Sequence, residues 1–268
     1  MNQKQKEVIS KLRGFYKTFN HSPTKREIPK IFWECCREFG SFNKAKKKAG
    51  LEVKNIRITN FPEKAFVPDK DLVAISSYLT FDGHLYKNGR AFFYSSKRIE
   101  DINDFNKLIS KKFRMPGKCQ WNSAGSENQT HKIYVFNKEL TQKLIELGIP
   151  NGDKTNQSFQ VPNWIKNNKE FSRMYLKVAF LCEGSMKEKR KNPRIQINLA
   201  KTQEFLSSGF MFMEDLRKML RGFRIRTTNC AIIGERIRKK DNKISKDIRF
   251  RVITSDNNKF IKEIGWLK

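Results

Sequence analysis

Apolar residues recur at helical spacing at Val8, Ile9, Leu12 and Phe15, break at the turn-forming run His21-Ser22-Pro23-Thr24, and resume in Ile31, Phe32 and Trp33. A third short helix is predicted from Asn43 to Leu51, so residues 1–53 read as a compact basic helical unit. Residues 54–70 hold two prolines and little periodicity, and read as a linker. Beyond it the pattern repeats. DLVAISSYLTFDGHL, from residue 71, and MYLKVAFLCEGSM, from residue 174, are both short apolar helices ending in an acid followed by glycine. The acids are Asp82 and Glu183, 101 positions apart.

The same order of elements follows each acid, as internal duplication predicts. After Asp82 come a hairpin turn at Lys87-Asn88-Gly89-Arg90, a charged helix from Arg98 to Phe113, strands between Cys119 and Asn137, and a helix from Lys138 to Leu147. After Glu183 come a strand in RIQINLA, a helix from Thr202 to Leu220, strands in RIRTTNCAIIGERI and DIRFRVIT, and the closing KFIKEIGWL. The expected fold class is therefore α+β, with two pseudo-symmetric αββαββα halves at residues 71–150 and 151–268 behind the small helical unit. Within the strands, Ile195, Ile197 and Leu199 alternate with Arg194, Gln196 and Asn198. Ile248, Phe250 and Val252 alternate in the same way with Arg249 and Arg251, and Arg224 with Arg226 brackets Ile225. One face packs; the other offers arginine forks suited to guanine and amides suited to adenine. Ordinary strands with a polar outer face would show the same alternation.

Charge narrows the choice of partner. Lysine and arginine total 56 against 27 acids, a net charge of +29, which draws polyanions over long range and makes small neutral substrates poor candidates. Lys44, Lys46, Lys47 and Lys48 lie beside an apolar face, as in a small DNA-binding helical module, although a solvated charged face fits them too. The amino terminus lacks the apolar stretch of a secretory signal. The apolar run Val178 to Cys182 is far short of the ~20 residues of a membrane span. Five cysteines without ligand spacing, and His21, His84 and His131 without ligand neighbours, argue against zinc sites and disulfides and for a reducing intracellular, cytoplasmic setting.

Two resemblances sharpen this picture. SPTKREI…FGSFNKAKKKAGL resembles the homing-endonuclease-associated repeat, through Pro23, Thr24, Phe39, Gly40, Ser41, Phe42, Asn43, Ala45, Ala49, Gly50 and Leu51. Residues from about 71 onward resemble the LAGLIDADG homing endonucleases, in the archaeal-type monomers with two motif copies. An approach segment supports this: Gly148, Ile149 and Pro150, then Val161, Pro162, Trp164 and Ile165, before the second motif.

The resemblance implies a saddle-shaped sheet over double-stranded DNA, with the two motif helices packed together so that Asp82 and Glu183 share one metal site. Mg²⁺, with Mn²⁺ as a substitute, would neutralise phosphate charge and lower the pKa of water for phosphodiester hydrolysis. It also implies auxiliary lysines after each hairpin, matched here by Lys97 and Lys201. DNA contacts are expected from Lys87, Arg90, Lys132, Arg194, Gln196, Asn198, Arg224, Arg226, Arg249 and Arg251, with Lys44 and Lys47 from the amino-terminal module. The chain would act as a monomer on a long site.

Two residues depart from the family pattern. Phe81 stands where glycine or alanine is usual, and Val178 where the second motif often has glycine. In a close helix crossing the bulk of Phe81 would push the acids apart, leaving a non-catalytic DNA-binding regulator or an RNA-binding maturase acting on intron RNA. Met1 and the final Gly-Trp-Leu-Lys lack a splicing nucleophile and a terminal His-Asn pair, so a nuclease embedded in an intein is not expected.

Overall fold

A computed structural model describes residues 1–25, 27–53, 61–121, 130–187 and 194–265, with the side chains of 119–121 and 187 outside that description. Much of the expected linker (54–60) and the last residues of the closing segment (266–268) lie outside the described residues. The chain divides into two compact units, Met1–Arg57 and Ile58–Lys268.

The first unit holds α1 (Gln3–Phe19), α2 (Pro29–Phe39) and α3 (Phe42–Lys48). Each helix start follows from its sequence. Asn2 and Gln5 form a reciprocal capping box, Pro29 opens α2 where no amide donor is needed, and the Ser41 side chain accepts from the Lys44 amide at 3.2 Å. Val8, Leu12, Ile28, Cys35 and Ala45 close the core. Trp33, expected in the second apolar stretch, is instead 65% exposed; α2 buries the Cys35 face, and Lys25 lies 5.4 Å over the indole.

The second unit contains the duplication. Its first half runs α4 (Lys70–Phe81), β1 (Gly83–Leu85), β2 (Phe92–Ser96), α5 (Ile99–Phe113), β3 (Lys118–Trp121), β4 (His131–Val135) and α6 (Lys138–Glu146). A short α7 (Asn163–Lys166) leads to the second half: α8 (Lys169–Cys182), β5 (Gly184–Lys187), β6 (Arg194–Thr202), α9 (Leu206–Gly222), β7 (Ala231–Ile237), β8 (Ile244–Arg251) and α10 (Asn257–Glu263). The strand orders match, β1-β2-β4-β3 and β5-β6-β8-β7, and every named pair is antiparallel. The described strands thus form two four-stranded sheets, one per half, rather than one continuous sheet.

In each sheet the alternate residues facing the helices form the core. Tyr94, Phe105 and Ile133 are fully or almost fully buried in the first half, and Ile197, Phe212 and Phe250 in the second. At roughly 1.5–3 kcal/mol for each large apolar side chain, such burial is the main stabilising contribution. Helices α4 and α8 pack against each other between the two cores. Phe81 and Val73, both on α4, belong to the second half's core, while Val178 of α8 belongs to the first half's.

Candidate functional site

The site is built at the ends of α4 and α8. Asp69 caps α4 by accepting from the Leu72 amide at 2.8 Å, and Asn168 caps α8 by accepting from the Phe171 amide at 3.1 Å. From Leu72 to Phe81 every residue of α4 is buried, which suits a helix enclosed by protein on all sides. Ser77, with no exposed surface, donates its hydroxyl to the Tyr175 carbonyl of α8 at 2.9 Å, and Ala179 is equally buried. Small side chains carry the crossing.

Each helix stops at its acid. The Asp82 amide donates to Tyr78 O at 3.1 Å and the Glu183 amide to Ala179 O at 2.9 Å, after which the chain reverses directly into β1 or β5. That reversal explains the following glycines. A Cβ on Gly83 would lie 2.6 Å from Leu79 Cα, and one on Gly184 would lie 2.3 Å from Phe180 O. Asp82 is half-buried and Glu183 exposed. The Cys182 thiol, at the end of α8, hydrogen-bonds to the Asp82 carboxylate at the end of α4, so the first acid lies beside the second helix terminus. Burial, followed by the Asp82 charge, pushes the Cys182 pKa well up and keeps it a neutral donor.

Phe81 packs across α8 into the core of the second half. Its ring packs 5.7 Å from Tyr175 and 6.0 Å from Phe212 in the second half's core, and Val178 packs into the first. The Phe81 ring is thus accommodated against Tyr175 of α8, and it lines one cavity with Lys154 and Glu183.

Lys154 was missed by the sequence reading. Its ammonium group donates to the carbonyls of Thr80 (2.8 Å), Phe81 (2.5 Å) and Gly83 (2.7 Å), the open end of α4. A cation there complements the negative pole of the helix and satisfies carbonyls with no partner inside it. Burial lowers its pKa to about 8, opposed by the negative charges of Asp82 and Glu183, so one lysine senses both acids. The approach segment brings it in. Val161 and Ile165 are buried, and the Trp164 indole donates to Leu147 O at 3.0 Å.

Lys201 and Lys97 are not counterparts. Gly83 pairs with Tyr94 but Gly184 pairs with Ile197, so the register aligns Lys97 with Ala200 and Lys201 with Arg98. A one-residue slip sends a strand side chain to the opposite face. Lys97 is exposed, whereas Lys201 is fully buried, donating to Lys154 O at 2.7 Å and Gln157 O at 2.6 Å over the ring of Phe159. Its assignment as an auxiliary catalytic lysine is therefore corrected: it holds the backbone of the segment that carries Lys154. Burial lowers its pKa to about 7.

The outer face of the second sheet brings several expected DNA contacts together. Gln196 lies opposite Arg251 and Asn198 opposite Arg249, with Arg194 exposed at the start of β6, but Gln196 itself is buried beneath its neighbours. Arg249 Nε donates to Asn198 Oδ1 at 2.8 Å, and Arg251 Nε to Gln196 Oε1 at 3.3 Å. In the first half Lys132 lies on β4 above Phe93, and Lys87 and Arg90 are exposed beside the β1–β2 turn. Lys44 and Lys47 are exposed on α3.

Arg224 and Arg226 are corrected. They precede β7 rather than belonging to a strand. Arg224 adopts a left-handed φ of +57° where α9 ends, and Arg226 grips Asp256 with Nε at 3.0 Å and its backbone amide at 2.8 Å. These bonds, with the Arg226 charge, hold the Asp256 pKa at about 2.

The donor types fit a hard divalent cation. Among the described residues no cluster of three or more His, Cys, Asp or Glu could hold an ion. Two carboxylates at a helix junction fit a hard cation that keeps water and phosphate in most of its shell, as Mg²⁺ does, and do not fit a closed structural site.

Fold and site together define a duplicated α+β scaffold with a helix-end acid in each half, preceded by a helical repeat module. Residues 4–52 match the family described as the homing endonuclease associated repeat. The chain is similar, in that repeat and in its paired motifs, to the LAGLIDADG homing endonucleases.

Among curated proteins, the tRNA-splicing ligase RtcB of Pyrococcus abyssi is 29% identical over 184 residues, 62% of this chain and 20% of that protein. The replication factor C small subunit of Methanocaldococcus jannaschii is 26% identical over 218 residues, 78% of this chain and 11% of that protein. The chain thus spans a fifth or less of the length of these relatives. Among solved structures, mesophilic variants of the homing endonuclease I-DmoI match 75% of this chain and 91% of that one, with a TM-score of 0.46 and 14% identity. The N-terminal LAGLIDADG domain of DUF199/WhiA matches 77% and 88%, with a TM-score of 0.46 and 18% identity. Among the described residues no helix is long and apolar enough to cross a membrane.

Proposed function

We propose that the chain is a metal-dependent, site-specific endonuclease that hydrolyses both strands of duplex DNA as a monomer. The observation that carries this reading is the buried ammonium of Lys154, which closes the end of α4 while sensing the charges of both Asp82 and Glu183. The charges of both acids act on the one lysine, as a shared site would require. Asp82 and Glu183 would hold the divalent cation, which when bound neutralises phosphate charge and acidifies water. Lys154 fixes the helix end that presents Asp82, and the Cys182 thiol orients that carboxylate. The basic outer face of the second sheet and the exposed lysines of α3 would bind backbone and bases.

The alternative of a non-catalytic DNA regulator or an RNA-binding maturase draws on Phe81 and Val178, whose side chains pack into the cores of the opposite halves.

The test is selection of a preferred duplex from a random library, followed by cleavage in Mg²⁺ or Mn²⁺. Wild type should cut the selected site, and Asp82→Asn or Glu183→Gln should bind it with little loss and not cut. Undiminished cutting by both variants overturns the assigned chemistry, and tight binding by a wild type that never cuts selects the non-catalytic reading.

A further inference from the structure

The two sheets carry different chemistry at equivalent positions of their outer faces. In the first, His84, Phe93 and Tyr134 stand in register across β1, β2 and β4. At the matching positions of β5, β6 and β8 stand Ser185, Gln196 and Arg251. The second row is a chain of hydrogen bonds: Gln196 Nε2 donates to Ser185 Oγ at 3.0 Å and Arg251 Nε to Gln196 Oε1 at 3.3 Å.

The first row is a run of rings. His84 stacks on Phe93 with centroids 5.2 Å apart, Phe93 meets Tyr134 at 5.3 Å, and Tyr134 lies within 10° of parallel to Phe136 at 5.9 Å. Phe136 is 63% exposed and the other three are half-buried. Lys132 sits 5.3 Å over Phe93, and Lys87 and Arg90 are exposed near the turn of the same sheet.

An apolar strip among cations, in a chain of net charge +29, calls for a polyanion that also displays an apolar group. In the major groove that group is the C5-methyl of thymine, which apolar side chains contact. An unpaired base stacking on the strip would need open ring faces. Phe136 keeps an exposed ring, but His84, Phe93 and Tyr134 are half-buried against their neighbours, which favours methyl contact over a stacking platform.

We infer that the first half reads its half-site through thymine methyl groups, and the second half reads the other through hydrogen bonds. This inference rests on the endonuclease reading for its duplex partner. It makes Phe93 and Tyr134 specificity residues, and it makes the target asymmetric in chemistry as well as in sequence.

The experiment uses the full chain and its library-selected duplex. Thymines are replaced by uracil in one half-site at a time, which removes only the methyl. Affinity should fall about fourfold for each contacted thymine in one half-site, and less than twofold in the other. The double variant F93Q/Y134R, which installs the second half's residues on the first sheet, should abolish that uracil effect and change the selected consensus in that half-site alone.

Equal uracil effects in both half-sites, a first half-site without thymine enrichment, or an uracil effect unchanged in the double variant would overturn the inference while leaving the endonuclease reading standing. Preference for single-stranded over duplex nucleic acid would replace methyl contact by base stacking. Recovery of no preferred duplex at all would remove the endonuclease reading and this inference with it.

Discussion

Two lysines do structural work that their composition class conceals. In Lys154→Met the carbonyls of Thr80, Phe81 and Gly83 lose their shared donor. Each buried acceptor left without a partner costs about 1–3 kcal/mol. Urea unfolding should register a loss of at least that size, and cleavage should fall further than DNA binding, because the lost contact fixes the acid rather than the DNA. Lys201 gives a pH signature. Burial lowers its pKa to about 7 from the usual 10.5, so between those values the unfolded chain holds a proton that the folded chain has shed. Stability therefore rises with pH across that interval, and the cost of burying the charge is fully present below about pH 7. The urea midpoint of wild type should climb from pH 7 to pH 9, and Lys201→Met should show a visibly shallower climb.

Helices and strands follow from patterns that physics makes local. The expected charged helix from Arg98 to Phe113 is α5 within one residue, and the alternation in RIQINLA marks β6, with Ile195 and Ile197 buried as expected. The correspondence of strand positions between the two halves was not legible. The acids are 101 positions apart, but the register-equivalent residues Tyr94 of β2 and Ile197 of β6 are 103 apart, so strand positions no longer keep the acids' spacing. Lys201 stands one register position past the equivalent of Lys97, and in a strand one position changes the face, which is why it lies beneath its sheet. Contacts between distant segments were equally silent: Arg226 reads as a strand arginine until Asp256, 30 residues later, takes it. Lys154 was one lysine among many, and only the helix end it closes gives it a role. At the helix crossing, Ser77 is the element-scale test. Ser77→Leu inserts a large side chain where the α4 hydroxyl meets the α8 backbone at 2.9 Å. Overpacking of this kind costs about 1–3 kcal/mol, to be read from chemical denaturation, and cleavage should be lost as the helix ends separate.

For the whole molecule, a net charge of +29 sets how binding responds to ions. Each neutralised phosphate releases counterions, and a protein making ~6–10 such contacts loses about 10³–10⁵ in affinity between 50 and 200 mM salt. A salt titration of duplex binding should therefore give a steep linear log–log fall, with a slope of roughly −0.9 for each phosphate contacted. The unit Met1–Arg57 carries its own core, and its removal should leave the unfolding of the remainder intact while flattening that slope. The second unit does not divide in the same way. Because Phe81 and Val73 complete the interior opposite their own, and Val178 does the same in return, neither half owns all the side chains that fill it. Fragments cut at residue 150 would each expose a hole and an orphaned helix face, and they would regain shape only by finding one another. Such a gene can drift in sequence on either side, but its two copies are bound to one fate.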